Sequence, residues 1–316
     1  MASARGAVAG VAVAGVAVIV AAALVLFLTP ARRLVAATGP GGRPSGPAGT
    51  AGPGRAPDGA KASGTGAPGV HADPLSAAAA AYVAGRRDTV LAAVYDVRTG
   101  QTWELGTSQA QPEASVVKLD ILETLLARPQ GAALSPADQA LARSMIEDSD
   151  NDAATSLWDE DGGAAGLAYY GDRAGLTQTT PSQCVNCAGF AFPGWGLSTT
   201  VPQDQLTLLK QLVVPGPSPL LSVAARSYAL SLMEHVTDGQ RWGITGGVPS
   251  GVTVALKDGW LPLDAAATDW QVNSVGWVSG AGRNYLIAVL STGNPTEQYG
   301  IDTISALSSL VWSAMR

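Results

Sequence analysis

Hydrophobic and polar positions divide this chain into stretches of different character. An unbroken apolar run extends from Ala7 to Leu28 and contains no charged residue. Because about 20 apolar residues cross a bilayer, this run predicts a membrane-spanning helix. Residues 39–69 are rich in Gly and Pro and lack aromatic residues, which predicts a disordered tether. From about Asp73 onward, strand and helix periodicities predict a folded region.

Periodicity within the folded region predicts strands at both ends and helices between them. Two strand-like runs joined by Arg98-Thr99-Gly100 predict a β-hairpin. A helix capped by Asp73 and entered through Pro74 precedes it. The predicted strands cover 90–97, 101–105, 251–257, 270–278 and 285–291, and the predicted helices cover 75–83, 115–126, 136–146, a segment after Asn151, 203–213 and about 299–315. We therefore expect an α+β fold, with a five-stranded antiparallel sheet covered by the terminal helices beside an all-helical lobe.

The apolar run at the N-terminus predicts an uncleaved signal anchor. Val35-Ala36-Ala37 offers an alternative, since small residues there could be a cleavage site. Flanking charges do not decide the orientation, because Arg5 is balanced by Arg32 and Arg33 on the other side. The predicted organisation is an anchor at 1–33, a tether at 34–72 and a domain at 73–316, with a sheet lobe at 73–110 and 245–316 and a helical lobe at 111–244.

Composition narrows the classes of function. The formal net charge is −6 and 14% of residues are charged, against about 25% in ordinary soluble domains, so nucleic acid is not an expected partner. Of the 2 histidines, His71 falls in the tether and only His235 could serve a Ser-His-Asp triad. Ligand candidates are too few for a metal site, and we expect no cofactor.

The apolar run that opens at Ser115 contains a lysine, Lys118, and predicts a buried helix that carries it. Residues at this spacing share a helix face, so the two side chains can meet. Partial desolvation lowers the pKa of a lysine and lets it accept the proton of a serine. Such a pair also occurs by chance on solvated helix faces. Lysine is scarce in this chain, however, and a charge within an apolar segment is costly, which favours a catalytic pair.

Two further motifs follow along the chain. Ser149-Asp150-Asn151 lies at a predicted helix start, where the same residue types also serve as N-caps. Lys257-Asp258-Gly259 closes a predicted strand and combines a cation with a glycine that permits close backbone approach. Neither motif specifies chemistry alone.

In this order, S-x-x-K, S-D-N and K-x-G resemble the motif set of class A β-lactamases and penicillin-binding proteins. The resemblance extends from about Asp73 to Arg316 and includes Ala114–Leu119, Met145-Ile146 and Gly247-Val248-Pro249. It implies a serine hydrolase that forms an acyl-enzyme with β-lactams or D-Ala-D-Ala-like amides. A small-molecule or peptidoglycan-like substrate is therefore expected.

The resemblance also implies roles for individual residues. Ser115 would be the acylated nucleophile, Lys118 its base and Ser149 a proton relay. Asn151 would orient Lys118 and the substrate amide, and Lys257 would hold the substrate carboxylate. The oxyanion hole would combine the N–H of Ser115 with one near Trp260. The implied substrate-binding residues are Asn151, Lys257, Asp258, Gly259 and Trp260.

Two departures from the family pattern affect the expected chemistry. Asp258 stands where the family usually has Thr or Ser, and a carboxylate there would repel an anionic substrate unless it were paired with Lys257 or protonated. The ω-loop, residues 176–200, contains no Asp or Glu. Its amides Gln178, Gln183 and Asn186 can bind a water but cannot take its proton, so deacylation is expected to be slow.

The ω-loop also holds the only cysteines, Cys184 and Cys187. Their spacing allows a disulfide, a redox pair or half of a zinc site. The tether and the resemblance place the domain outside the cytoplasm, which favours the disulfide. The same placement predicts a single-pass membrane protein whose catalytic domain is extracellular, and we expect a monomer.

A second class of function competes with the enzyme. A catalytically weak homologue could serve as a binding module for a cell-wall or protein ligand. Asp258 and the acid-free ω-loop favour that alternative, whereas the intact Ser115 and Lys118 favour catalysis.

Overall fold

The computed structural model describes residues 72–107, 109–128, 134–188, 190–217 and 219–316. The predicted anchor, and all of the predicted tether except Ala72, lie outside these ranges. Among the described residues, none of the helices combines the length and the hydropathy that a membrane span requires. The predicted domain and lobe boundaries stay predictions.

Along the described chain, the longer strands are grouped near both ends and most helices lie between the two groups. The strands are β1 (Thr89–Asp96), β2 (Thr102–Leu105), β3 (Gln111–Pro112), β4 (Thr199–Thr200), β5 (Thr253–Pro262), β6 (Trp270–Gly280) and β7 (Arg283–Asn294). The helices are α1 (Ala77–Ala84), α2 (Val117–Leu126), α3 (Pro136–Glu147), α4 (Asn151–Glu160), α5 (Gly163–Ala174), α6 (Pro202–Val213), α7 (Val223–Glu234) and α8 (Glu297–Ala314).

Five strands form one antiparallel sheet in the order β2-β1-β7-β6-β5, which confirms the predicted α+β architecture. Strands β6 and β7 are buried along most of their length, because α8 and α6 both contact them. Strand β5 lies at an edge of this sheet and contacts the turn that carries Ser115. The short pair β3–β4 ties the approach to Ser115 to the end of the ω-loop through Gln111 and Thr200.

The helices differ from the predictions in three places. Helix α1 begins at Ala77 rather than Leu75, because Asp73 Oδ1 accepts the Leu75 N–H at 2.8 Å within a preceding turn. A 3₁₀ turn, Ala114–Val116, precedes α2, so Ser115 lies before the α-helix and not inside it. Helices α5 and α7 were not predicted. Helix α5 buries Leu167, Tyr170 and Ala174 at helical spacing, but it contains three glycines, which have low helix propensity.

A chain of buried amides joins the sheet to the segment before Ser115. Gln271 Nε2 donates to Gln111 Oε1 at 3.0 Å and to Asn273 Oδ1 at 2.7 Å. Asn273 Nδ2 donates to the carbonyl oxygens of Pro112 at 2.9 Å and Glu113 at 2.8 Å. Gln271 and Asn273 are both fully buried and share one face of β6. The amides therefore hold the backbone that enters the catalytic turn against the sheet.

We predict that Asn273→Ala lowers the free energy of unfolding by about 2–4 kcal/mol. The substitution removes three buried hydrogen bonds, to Gln271 and to the Pro112 and Glu113 carbonyl oxygens, and each contributes about 0.5–1.5 kcal/mol. Urea unfolding measures the change, with Gln298→Ala on the exposed face of α8 as the control. Equal unfolding midpoints for the two variants would show that the amide chain does not support the fold.

Candidate active site

The turn that carries Ser115 has a constrained backbone. Ala114 adopts φ 50°, a left-handed conformation that is unfavourable for a residue with a side chain. Gly259 on β5 approaches so closely that a Cβ there would lie 2.6 Å from the Ser115 nitrogen. The Ser115 N–H and the Gly259 backbone are thus neighbours, which only a residue without a side chain permits. Backbone N–H groups of Ser115 and of this part of β5 are therefore close enough to bind the same oxyanion.

Lys118 is fully buried and makes four polar contacts. Its Nζ lies 3.1 Å from Ser115 Oγ and 3.0 Å from Ser149 Oγ. It donates to the Ser149 carbonyl oxygen at 2.6 Å and to Asn151 Oδ1 at 2.8 Å. Because those two oxygens can only accept, two N–H groups of Lys118 are committed, and the remaining position on Nζ faces the two hydroxyl groups.

Burial, followed by the nearby charge of Lys257, lowers the pKa of Lys118 to about 6. The neutral amine then predominates at pH 7. A neutral amine has a lone pair, and the contact with Ser115 Oγ can carry a proton from the hydroxyl to the lysine. This arrangement has the geometry and the protonation state of a nucleophile with its base.

Ser149 lies between the two lysines of the site. Its Oγ is 3.0 Å from Lys118 Nζ and 3.0 Å from Lys257 Nζ. The residue adopts φ 58°, and this conformation lets its carbonyl oxygen and its hydroxyl both reach Lys118. The neighbouring Asp150 caps α4 by accepting the Ala153 N–H at 2.7 Å. The S-D-N motif thus combines the helix cap and the polar contacts that the sequence left as alternatives.

The structure places Asp258 differently from the expectation. Its carboxylate accepts the Trp242 N–H at 2.9 Å and the Ser274 hydroxyl at 2.5 Å. Lys257 Nζ donates to the backbone oxygen of Asp258 at 2.8 Å, so this contact does not use the carboxylate. Burial raises the pKa of the Asp258 carboxyl to about 7. The side chain therefore faces the sheet and the Trp242 loop, and acts on the site through its charge.

The ω-loop brings an aromatic ring to the site. The ring of Trp195 has its centroid 5.1 Å from Lys118 Nζ, and its Nε1 donates to Thr155 Oγ1 at 3.0 Å. Trp195 is 2% exposed, so its ring fills the space over the lysine. The sequence analysis did not identify Trp195 or Thr155 as part of the site. A large apolar residue in a Gly- and Pro-rich loop was the available signal for Trp195.

The three amide residues of the ω-loop make their contacts within the loop or with Asp204 of α6. Gln178 is held through its backbone N–H, which Asp204 accepts at 2.7 Å. Gln183 donates to the Pro181 carbonyl oxygen at 3.4 Å, and Asn186 lies in the turn between the two cysteines.

Hydrogen bonds join the two ends of the ω-loop, and a disulfide closes a turn inside it. Thr180 and Thr199 exchange backbone hydrogen bonds of 2.8 and 3.0 Å where the loop leaves and rejoins the domain. Cys184 and Cys187 are disulfide-bonded in the structure. Gly194 packs against this turn, and its N–H donates to the Val185 oxygen at 2.6 Å. These contacts set the course of the segment that ends in Trp195.

The cavity beside Ser115 is small, at about 30 Å³. A water molecule needs roughly 10–15 Å³ of such volume, so the cavity holds one or two waters. Phe192, Trp195 and Trp260 are among its walls. Ser115 is half-buried beside these walls, so their position limits the size of a substrate that can reach it.

Carboxyl groups without a neutralising cation lie behind the nucleophile. Glu113 and Asp120 are buried near each other, and the charge of Asp120 adds to the effect of burial on Glu113. Burial raises the pKa of Asp120 to about 7 and raises that of Glu113 well above its ordinary value. Glu123 is also buried and accepts the Tyr170 hydroxyl at 2.6 Å. Helix α2 therefore buries more than the one lysine that the sequence pattern had indicated.

His235, the candidate for a histidine triad, lies at the end of α7. Its Nδ1 and the Ser231 carbonyl oxygen are 2.7 Å apart, and this bond caps the helix. The contacts of Ser115 described above involve lysine and do not involve this histidine.

A family model described as the beta-lactamase enzyme family matches residues 129–315. The chain belongs to this family. Proteins named "Putative lipoprotein LppW" from Mycobacterium tuberculosis and Mycobacterium bovis are each 30% identical over 210 residues. The matched region is 64% of this chain and 63% of the relatives, so the chain spans about 63% of their length.

Solved structures share the fold at low sequence identity. A class A beta-lactamase from Mycobacterium abscessus is 21% identical with a TM-score of 0.60, and the match covers 74% of this chain and 96% of that one. A mutant of PBP-A, solved as an acyl-enzyme complex with penicillin G, is 22% identical with a TM-score of 0.59, covering 74% and 92%. The resemblance found in the motifs is therefore confirmed at the level of family and fold.

We predict that Glu113→Gln makes stability less dependent on pH. A carboxyl whose pKa is raised in the folded state binds a proton that the unfolded chain releases, so stability falls as pH rises above about 4.3, the ordinary value for Glu. Glutamine has no proton to lose. Urea unfolding should show that the variant is more stable than the parent by about 1 kcal/mol or more at pH 8, and nearly equal to it at pH 4.5.

Glu104→Gln, on the exposed side of β2, is the matched control and should follow the parent at both pH values. A Glu113→Gln variant whose stability falls with pH as steeply as the parent's would mean that Glu113 is ionised in the folded protein.

Proposed function

We propose that this protein is a serine acyl-transfer enzyme that forms an acyl-enzyme on Ser115 and releases the acyl group slowly. The observation that carries the proposal is the continuous set of contacts from Ser115 through Lys118 and Ser149 to Lys257. Membership of the beta-lactamase enzyme family supports a serine hydrolase. Acyl donors would be β-lactams or peptidoglycan-like amides.

In the proposed acylation, neutral Lys118 takes the proton of Ser115 as Oγ attacks the carbonyl carbon. The backbone N–H of Ser115 and one from the adjacent end of β5 stabilise the oxyanion. The Ser149 hydroxyl gives its proton to the leaving nitrogen and receives a proton from Lys118. Lys257 keeps the Ser149 hydroxyl oriented and supplies positive charge. Asn151 holds Lys118 in place through its side-chain oxygen.

Deacylation lacks an evident base on the side of the ω-loop. The ring of Trp195 occupies the space near Lys118, and an indole cannot take a proton from water. General-base assistance contributes a factor of roughly 10² to 10⁴, so hydrolysis of the ester would be slower by about that much. Lys118 remains a second base, and an amine could replace water as the acceptor.

We also propose that the protein is attached to a membrane, with its domain on the outer side. The relatives from mycobacteria carry a lipoprotein name, and the apolar run of this chain offers a different means of attachment. Single-pass topology and a monomeric state stay predictions.

The second candidate is a binding module that keeps the site without turning substrate over. The small cavity beside Ser115 favours it, because its aromatic walls leave little room for a substrate. The lowered pKa of Lys118 favours the enzyme, because a binding site gains nothing from a buried neutral base.

We predict that acylation of Ser115 by a reporter penicillin speeds up as pH rises through about 6. Lys118 must lose its proton to act as the base, and its pKa is lowered to that value. The rate should fall again at higher pH as Lys257, whose pKa burial also lowers, loses its charge. Single-turnover labelling across the pH range in which the protein stays folded measures the profile. A rate that keeps rising well above pH 8, the approximate pKa of Lys257, would indicate that Lys118 has the pKa of an ordinary, exposed lysine.

We predict a burst of one equivalent per site followed by negligible turnover with a simple β-lactam. Intact-protein mass spectrometry should detect an adduct that Ser115→Ala abolishes and Ser313→Ala, an exposed serine on α8, retains. Rapid multiple turnovers would contradict slow deacylation. Absence of any adduct on the folded parent would favour the binding module.

A further inference from the structure

The walls of the cavity beside Ser115 are apolar and aromatic. They include Phe192, Pro193, Trp195, Trp260 and Leu261. Ser115 and Asn151 also line this cavity, and of the described residues in its lining none has a charged side chain. The lysines that contact Ser149 are not among the lining residues.

Neither lysine presents its ammonium group to the surface. Both are 0% exposed. Lys118 is committed to the Ser149 oxygen and Asn151, and its lowered pKa leaves it mostly neutral at pH 7. Lys257 donates to Ser149 Oγ and to the backbone oxygen of Asp258. A substrate carboxylate would have to compete with these contacts.

Asp258 opposes the remaining positive charge. It follows Lys257 directly on β5, and the two groups influence each other's ionisation. Its carboxylate is fixed by the Trp242 N–H and the Ser274 hydroxyl. Arg241 is the other cation that faces Asp258, and its guanidinium donates to the Val254 and Glu234 carbonyl oxygens.

The region is also capped by aromatic rings. The centroids of Trp242 and Trp260 are 6.0 Å apart, and Trp260 belongs to the wall of the Ser115 cavity. Placing a carboxylate beside such rings removes water from the anion, and without an unopposed cation the desolvation is not offset.

We propose that Ser115 reacts preferentially with acyl donors whose leaving group is uncharged, and that donors with a carboxylate on the leaving group react more slowly. The inference rests on the acyl-transfer function proposed above and specifies its substrate class. Neutral esters and peptide amides with a blocked or amidated end fit this description.

The reaction with a neutral ester is balanced without another reactant. Ser115 Oγ forms a bond to the acyl carbon and its proton passes to Lys118. The bond from the acyl carbon to the leaving oxygen breaks, and that oxygen receives a proton through Ser149 from Lys118. The products are the Ser115 ester and an alcohol or phenol.

The test uses two aryl esters with the same phenylacetyl group on the full-length protein at pH 8, above the pKa of about 7 of the Asp258 carboxyl, so that its charge is present. One has 3-hydroxybenzamide as its leaving group and the other has 3-hydroxybenzoate, so that they differ in charge and little in shape. The second-order rate constant for the Ser115 adduct is measured by intact mass, with Ser115→Ala as the blank. We expect the carboxamide ester to react at least tenfold faster.

Asp258→Asn then tests the source of the preference. The variant keeps the shape of the side chain and removes its charge, so the rate ratio should narrow at least threefold, mainly through faster reaction of the benzoate ester. Asp302→Asn, on an exposed position of α8, is the matched control and should leave the ratio unchanged. Asp258→Thr serves as the second variant if the asparagine variant melts early.

The outcomes are distinct. A benzoate ester that reacts as fast as the carboxamide ester in the parent overturns the proposed substrate class while the acyl-enzyme itself stands. An unchanged ratio in the folded Asp258 variants overturns the role given to that charge. If the reporter penicillin labels Ser115 and neither ester does, this inference fails while the acyl-enzyme stands. If none of the three labels Ser115, the proposed enzyme fails as well.

Discussion

The burial of Lys118 is the constraint on which the rest of the site depends. A protonated lysine in this position would lie among two hydroxyl groups, two committed oxygens and a tryptophan ring, with a second lysine nearby. Its charge is costly there, and the amine becomes a base instead. Trp195 shields that amine from water. The Asp150 cap of α4 and the left-handed conformation of Ser149 hold the groups that keep it within reach of Ser115.

Much of the fold could be predicted from the chain because its strands and most helices have clear periodicity. The five-stranded sheet followed from the hairpin and the three late strands. Helix α5 was not predicted because its glycines have low helix propensity, although Leu167, Tyr170 and Ala174 form a buried stripe along it. The end of a helix is equally hard to place. Asp73 caps a turn rather than α1, a difference of local hydrogen bonding that periodicity does not report.

For the site, motif spacing indicated which side chains meet, and Ser115, Lys118, Ser149, Asn151 and Lys257 are connected by contacts in the structure. The spacing could not predict which way each side chain points. Whether Asp258 faces the cleft or the sheet depends on Trp242 and Ser274, which come from other segments. Trp195 and Thr155 likewise meet only in the folded chain. The buried Glu113 and Asp120 were visible as charges near an apolar run, but their burial near each other is a tertiary feature.

The two hydrogen bonds between Thr180 and Thr199 make the ω-loop a ring of chain whose ends are joined at one point. Asp204, at the start of α6, reinforces that point by accepting the Thr177 and Gln178 N–H groups and the Thr179 hydroxyl. A loop closed in this way can change its course without lengthening or shortening the path between the elements it connects. Variation in the cysteine turn is thereby separated from the geometry of the lysine pair, whereas Trp195 is tied to that pair through its contacts with Lys118 and Thr155. The same closed loop therefore holds one part that can vary and one part that the catalytic lysine constrains.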